Sequence, residues 1–421
     1  MTDGDRRVWI GVGSVLLLIG GVAGARIYGQ WRAAPAGPAG ESIPTDLQLR
    51  HPALEAPPPM TFPEVSELLQ CRDRLETVVQ RHALDPENPW AVEHALISLG
   101  PEAVLTNGEI AVDYLFSAYA EPVTVAGQSL IRFPVTRPNP GKPDIRVEPH
   151  SDLILSGLAQ LGVDPERAVN VDGKRHTVAD LWRHSLSRAW IDGQELNTTW
   201  DDTPWTLIGL TAYAPPGLKW VAAGGHEMTI DRYTHSIVKQ LHRETEFLRE
   251  AIVQHTVVNK RKQFIFNYTC GGAHLLQGAA FAVARGFGEP GDRHFIEDEV
   301  PALFFRYGVE MKAVDDAMAA NPEYRVVLLS QRLKFLGHFL ESAQRLSAMG
   351  FYRPDSQQAE TLKSAMAETC ATTTVLDKAG VLDHLPEIRA KNEQLYLDLV
   401  GDSAHALRGM DYMLGRRKVI Y

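Results

Sequence analysis

Cysteine is scarce in this chain: Cys71, Cys270 and Cys370 are the only three in 421 residues. They are too few for a disulfide framework, and their spacing is not that of a zinc finger. Positive charge is also in deficit, with 42 Lys and Arg against 52 Asp and Glu and a formal net charge of −10. Bulk attraction to nucleic acid phosphate therefore has no basis, and no nucleic acid partner is expected. Phosphate-cradling glycine loops are missing as well. The Gly224-Gly225 pair ahead of His226 belongs to neither a GxGxxG nor a GxxxxGK[ST] pattern, so nucleotide binding has no motif to rest on. At 44% hydrophobic, 22% charged and 8% aromatic residues, the remainder is ordinary for a globular chain. That composition excludes a wholly disordered, collagen-like or polytopic membrane protein.

Long apolar runs are absent too, with one exception. Val8 to Ala25 carries no charge and is flanked by Arg6, Arg7 and Arg26. As a helix it would be roughly 27 Å long, enough to cross a bilayer core. The expectation is a single-pass membrane protein anchored within residues 1–32, with a cytoplasmic N-terminus and an extracytoplasmic C-terminal domain. The alternative is secretion after cleavage, since Ala23-Gly24-Ala25 fits the small-x-small pattern of a signal peptide. Residues 33–63 hold eight of the 26 prolines and read as an extended linker, leaving 64–421 as the folded domain.

Within that domain the apolar pattern is helical and recurs. Six segments share one plan, a polar entry carrying His, Asp or Glu followed by a mostly apolar helix: 88–100, 148–162, 200–214, 268–286, 333–350 and 402–415. A helix apolar nearly all round belongs inside, and one with a single apolar stripe belongs outside. More polar helices alternate with the six, near 108–119, 177–190, 228–257, 297–319, 356–375 and 385–400. Short β elements interrupt them. Segments 123–133 and 169–178 read as hairpins turning at Ala126-Gly127 and Asp172-Gly173, and 132–148, with four prolines and Gly141, reads as a long loop.

Six such helix pairs close most simply on themselves. In this the chain resembles the (α/α) six-hairpin toroids of glycoside hydrolases, polysaccharide lyases and sugar epimerases. Gly337-His338-Phe339-Leu340-Glu341 is similar to the Gly-His-x-Leu-Glu segment of N-acylglucosamine epimerase-like proteins. The fold class expected is thus all-α, an (α/α)6-type toroid with short β-hairpin insertions, preceded by a single transmembrane helix. The resemblance implies a carbohydrate or cell-envelope polymer as substrate.

In a toroid the inner helices' N-terminal ends converge on one face, so residues distant in sequence share a cavity. This groups Glu93, His94, His150, Asp152, Asp201, Asp202, His274, His338 and Glu341 as candidates for acid–base chemistry. Trp90, Trp200, Trp205 and Tyr268 offer flat apolar surfaces for sugar rings. Local structure accounts for several of these without catalysis. Asp201, Asp202, Asp152 and Glu148 ahead of Pro149 stand where a helix cap is expected, His94 and His405 sit among apolar residues as hydrogen-bonded core histidines, and Glu341 is spaced to pair with His338 on one helix. Cys270 and His274, four apart, share a helical face and can both reach a metal or act as thiol and base, but two ligands do not make a zinc site. No metal or other cofactor is expected. Against the enzyme stands a non-catalytic helical scaffold that binds a protein or polymer partner at the membrane.

Overall fold

The computed structural model describes residues 42–52, 54–55, 60, 62, 65–191, 203–258 and 272–421. Fourteen α-helices and ten short strands are found among them. The helices are α1 Ser66–His82, α2 Pro89–Leu99, α3 Ala111–Tyr119, α4 Leu153–Gln160, α5 Val178–Arg188, α6 Thr203–Tyr213 and α7 Ile230–Glu244. They continue with α8 Glu246–Val253, α9 Ala273–Ala284, α10 Asp292–Ala320, α11 Arg325–Ala348, α12 Ser356–Lys378, α13 Leu385–Lys391 and α14 Glu393–Met413.

Burial sorts these helices as their composition requires. Every residue of α4 is buried, and of α6 only Trp205 is not. In α7, by contrast, Tyr233, Thr234, Ile237, Val238 and Leu241 form one buried stripe. An all-apolar helix can satisfy its surface only in the interior, and a striped one only at the periphery. Six helices accordingly contact one another in chain order, α2 with α4, α4 with α6, α6 with α9, α9 with α11 and α11 with α14, and α14 returns to α2. The remaining long helices lie against this circuit: α1 on α14 and α12, α7 on α9 and α10, and α10 on α11.

Local chemistry sets several boundaries. The Asn88 side chain accepts from the Ala91 amide ahead of Pro89 in α2, Thr177 and Asp180 form a capping box on α5, and Asp355 with Gln358 does the same on α12. Such caps stabilise a helix by about 1 kcal/mol each. The single helix expected over 385–400 is divided instead, because Asn392 leaves helical geometry and accepts from the Leu395 amide to start α14. The 228–257 helix is likewise two, α7 and α8, meeting at Thr245.

The strands form five two-stranded antiparallel sheets. β2 Glu121–Val125 and β3 Gln128–Arg132 turn at Ala126-Gly127, and β6 Ala168–Val171 and β7 Lys174–Thr177 turn at Asp172-Gly173. All four turn residues have positive φ, as type I′ hairpin turns require. Two strands, β4 Thr136–Arg137 and β5 Ile145–Arg146, pair within the expected loop. A further hairpin, β8 Lys219–Ala222 with β9 His226–Thr229, uses Gly224 and Gly225 at its turn. That gives the glycine pair a structural role. β1 Leu54–Glu55 pairs with β10 Val419–Ile420 and joins the two ends of the described chain. Arg285 reinforces that junction, donating to the His51, Tyr421 and Ala212 carbonyls.

Two expectations need correction. The fold class, an all-α toroid preceded by a single transmembrane helix, gives way to a mostly helical chain with short β-hairpins, and no helix among the described residues is long and apolar enough to cross a membrane. The physical reason is distribution: the longest helices, α10, α11, α12 and α14, each carry charged residues along their length, and the uncharged, mostly apolar ones, α4 and α6, have eight and eleven residues. The single-pass, extracytoplasmic localisation is corrected on the same finding. The apolar segment 8–25 on which it rested lies outside the described residues.

Burial has a measurable consequence at His184 on α5, which is 6% exposed. Desolvation, helped by Arg188 and Arg132, pushes its pKa down to about 3 from 6.5. The folded state therefore resists a proton that the unfolded chain takes up, and stability is lost as pH falls from 6.5 toward 3, by up to about 1.4 kcal/mol per pH unit. Urea midpoints measured between pH 7 and pH 4 should fall less steeply in His184→Leu than in the native chain. Equal slopes would show that His184 does not contribute.

Candidate axial histidine site

The helices of the closed circuit bring their N-terminal ends or central faces to one place. Trp90 is the second residue of α2, Trp205 the third of α6 and His274 the second of α9, while His150 lies just ahead of α4. All four are half-buried, whereas His94, His338 and His405 behind them are 8%, 4% and 6% exposed. The rings form an unbroken series. Trp90 packs on His94 at 4.1 Å between centroids, His94 meets His405 at 5.4 Å, and His405 meets His338 at 4.0 Å. His338 meets His274 at 4.6 Å, His274 meets Trp205 at 4.9 Å, and Trp205 stacks on His150 at 4.3 Å.

A polar base supports these rings. The Nδ1 of His405 donates to Glu341 Oε2 at 2.7 Å, which leaves its Nε2 with a lone pair. The other oxygen of Glu341, Oε1, lies 3.0 Å from Arg408 and 3.5 Å from Arg345. Arg345 in turn bonds the Oε1 atoms of Gln160 and Gln277, and Gln277 donates to Ser342. Burial by itself would raise the carboxyl pKa of Glu341, but Arg408, His405 and Arg345 outweigh it and hold it well below the usual carboxylate range. Burial lowers His274 and His338 well below 6.5, aided in each case by His405, and lowers His405 against the pull of Glu341. Around neutral pH the three imidazoles are therefore uncharged and can accept a proton or donate a lone pair.

On α2, the Nδ1 of His94 donates to the Trp90 carbonyl at 2.9 Å, which leaves Nε2 as its other ring nitrogen. Glu93 Oε2 stands 3.1 Å from the same Nδ1 and, among the described residues, has no hydrogen-bond partner of its own. Close backbone approach makes room for both side chains. A Cβ on Gly157 of α4 would lie 2.8 Å from Glu93 Oε1, and one on Gly401 of α14 would lie 2.7 Å from the Trp90 ring and 3.3 Å from His94.

Asp152 does not cap α4 with its side chain. It has φ of 64° and accepts from Thr206 Oγ1 at 2.6 Å. Glu148 takes the capping part instead, accepting from the Ile154 amide at 2.9 Å. A non-glycine residue in the left-handed region is uncommon, and here it turns the Asp152 carboxylate toward α6 and away from its own helix.

Nine of the sequence candidates thus meet in one cluster: Trp90, Glu93, His94, His150, Asp152, Trp205, His274, His338 and Glu341. Glu341 reaches across to His405 on α14, so its local spacing from His338 is not its main contact. Trp200, Asp201, Asp202, Tyr268 and Cys270 lie outside the described residues. From the sequence alone His405 reads as a core histidine, and Arg408, Arg345, Gln277 and Gln160 do not stand out. A signal was present. Segment 402–415 puts Asp402, His405, Arg408 and Asp411 on a helix otherwise made of small and apolar residues, and ionisable groups on a buried helix require partners. No family model, curated protein or solved structure matches this chain.

Proposed function

We propose that the chain is an enzyme carrying out general acid–base chemistry on a carbohydrate or a polymer of sugars at the axial histidine site. The observation that supports this best is the convergence of five imidazoles and the carboxylates of Glu93 and Glu341 with two half-buried indoles, from elements that meet only through the tertiary fold. Structural histidines are usually dispersed, each satisfied by its own neighbours. Four in ring contact with one another, His94, His274, His338 and His405, cost desolvation without supplying apolar packing, which a fold tolerates when the site is used.

The roles follow from position. Trp90 and Trp205 stand at the half-buried rim, where flat apolar faces can stack on the C–H surface of a sugar ring while its hydroxyls bond to polar neighbours. His94, oriented by the bond from its Nδ1 to the Trp90 carbonyl, has Nε2 to take a proton from a sugar carbon or hydroxyl, or return one to a leaving oxygen. Asp152, held by Thr206, is the rim carboxylate. Glu341 acts through His405 and is a positioning residue. The similarity of Gly337–Glu341 to the epimerase-like segment agrees with a sugar substrate.

The test is to incubate the full chain with a panel of neutral, N-acetylated and uronic-acid oligosaccharides and analyse the products by chromatography with mass detection. At least one member should be converted. His94→Asn should lower kcat by roughly 10²–10⁴-fold, and Trp205→Ala should raise KM about tenfold, which corresponds to about 1.4 kcal/mol of binding. Failure of every sugar to be bound or converted, or an undiminished rate in a folded His94→Asn variant, would overturn the proposal.

A further inference from the structure

We infer that His274, His338 and His405 together bind one divalent transition-metal ion, with zinc as the best match to the donors. The inference rests on the reading of this cluster as the reacting centre and adds the ligand that the centre takes.

One ligand atom from each of the three histidines lies within 4.8 Å of the other two. A tetrahedral zinc site with bonds of about 2.0–2.1 Å has nitrogens about 3.3 Å apart, so each ring need move by less than about 1 Å to close on an ion. The three come from α9, α11 and α14, and none is near another in sequence, so chance proximity along one helix does not explain the arrangement.

Two further observations point to a ligand. The Nδ1 of His338 is buried and, among the described residues, has no hydrogen-bond partner. An unpaired buried polar nitrogen costs about 1–3 kcal/mol unless something binds it. In addition, the Nδ1–H of His405 is already committed to Glu341 at 2.7 Å, an arrangement that fixes the tautomer and directs Nε2 to a metal. Histidines that ligate metals are held in this way by carboxylates.

The donor set selects the ion. Three imidazoles suit zinc and its transition-metal neighbours, whereas calcium and magnesium require oxygen ligands. His274 is the half-buried member and lies beside Trp205 and His150. The fourth position on that side can therefore take water or a substrate oxygen, as in catalytic zinc sites. A metal there would polarise a carbonyl or activate water and leave proton transfer to His94, which is outside the ligand set.

The experiment uses the full chain, stripped with a chelator and dialysed, then titrated with zinc chloride by calorimetry and with cobalt chloride by visible absorption. One equivalent of zinc should bind with a dissociation constant below about 1 µM, and cobalt should give the intense visible bands of a four- or five-coordinate site. His338→Ala and His274→Ala should each weaken zinc at least 100-fold, and Glu341→Gln should weaken it about 10–100-fold through His405. Should a variant fail to fold, X-ray absorption of the zinc-loaded native chain reads the site directly, and about three nitrogen neighbours at 2.0–2.1 Å are expected. Absence of stoichiometric uptake, undiminished uptake in folded His338→Ala, or a sulfur- or oxygen-dominated coordination shell would overturn the inference. Because uptake is read without substrate, sugar conversion by a chain that takes up no metal would sink the metal and spare the enzyme. Zinc uptake without conversion of any sugar would do the reverse.

Discussion

Glu341→Ala should destabilise the folded chain by roughly 3–5 kcal/mol, the usual consequence of removing one partner from a buried charge network. The residue is 1% exposed, and its two oxygens serve Arg408, Arg345 and the Nδ1 of His405. With alanine there, two guanidiniums that are 2% and 1% exposed lose the carboxylate that lies 3.0 and 3.5 Å from them, and the His405 tautomer is no longer set. Glu341→Gln keeps the volume and an acceptor for His405 but leaves the positive charges uncompensated, so its loss should be smaller yet still substantial. Chemical denaturation of both variants against the native chain measures the difference. A loss under about 1 kcal/mol in Glu341→Ala would mean that the polar base of the site is hydrated and not sealed.

The second large effect is expected at a residue with no side chain. A Cβ added to Gly337 would lie 2.7 Å from the Ala406 backbone nitrogen and 3.1 Å from its Cα. Backbone cannot swing aside as a side-chain tip can, so α11 and α14 would have to separate. Gly409 makes the reciprocal approach, its added Cβ meeting Leu340 Cβ at 2.9 Å and the Glu341 amide at 3.1 Å. Gly337→Ala should therefore cost about 1–3 kcal/mol as an overpacking substitution and, by moving His338 relative to His405, impair the site without removing any of its atoms. Gly308→Ala is the control. A Cβ there meets nothing within 4 Å in the middle of α10, so the change should be neutral or stabilising by up to about 1 kcal/mol. Melting temperatures of the two variants should move in opposite directions, or that of Gly337→Ala alone should fall. Equal behaviour would deny the close crossing.

The sequence made the inner helices legible because their apolar composition leaves no polar face to put toward solvent. Thus 88–100 contains α2, 148–162 contains α4 and 268–286 contains α9. The hairpins at Gly127 and Gly173 were legible because few residues tolerate positive φ in consecutive turn positions. The outer boundaries were less so. Asn392 looks like any polar residue until it is seen to cap α14, and the capping of α4 by Glu148 instead of Asp152 depends on a left-handed turn that no local pattern announces.

Within the site, convergence of helix starts was enough to group Glu93, His94, His150, Asp152, His274, His338 and Glu341. His405 escaped because its partner, Glu341, is 64 residues away; with only its apolar neighbours in view, it reads as core. Gly157 and Gly401 escaped for a related reason. Each matters only through the side chain it admits from another helix.

The most direct test of acid–base chemistry at this centre follows solvent atoms into the product. The sugar found to be converted is incubated in deuterium oxide and, separately, in oxygen-18 water, and the product is examined by mass spectrometry. Native chain should leave either deuterium at one carbon or oxygen-18 at one anomeric position, and His94→Asn, shown to be folded by its melting curve, should leave neither above background. Product labelled equally by His94→Asn and native chain would contradict the placement of the chemistry at the axial histidine site.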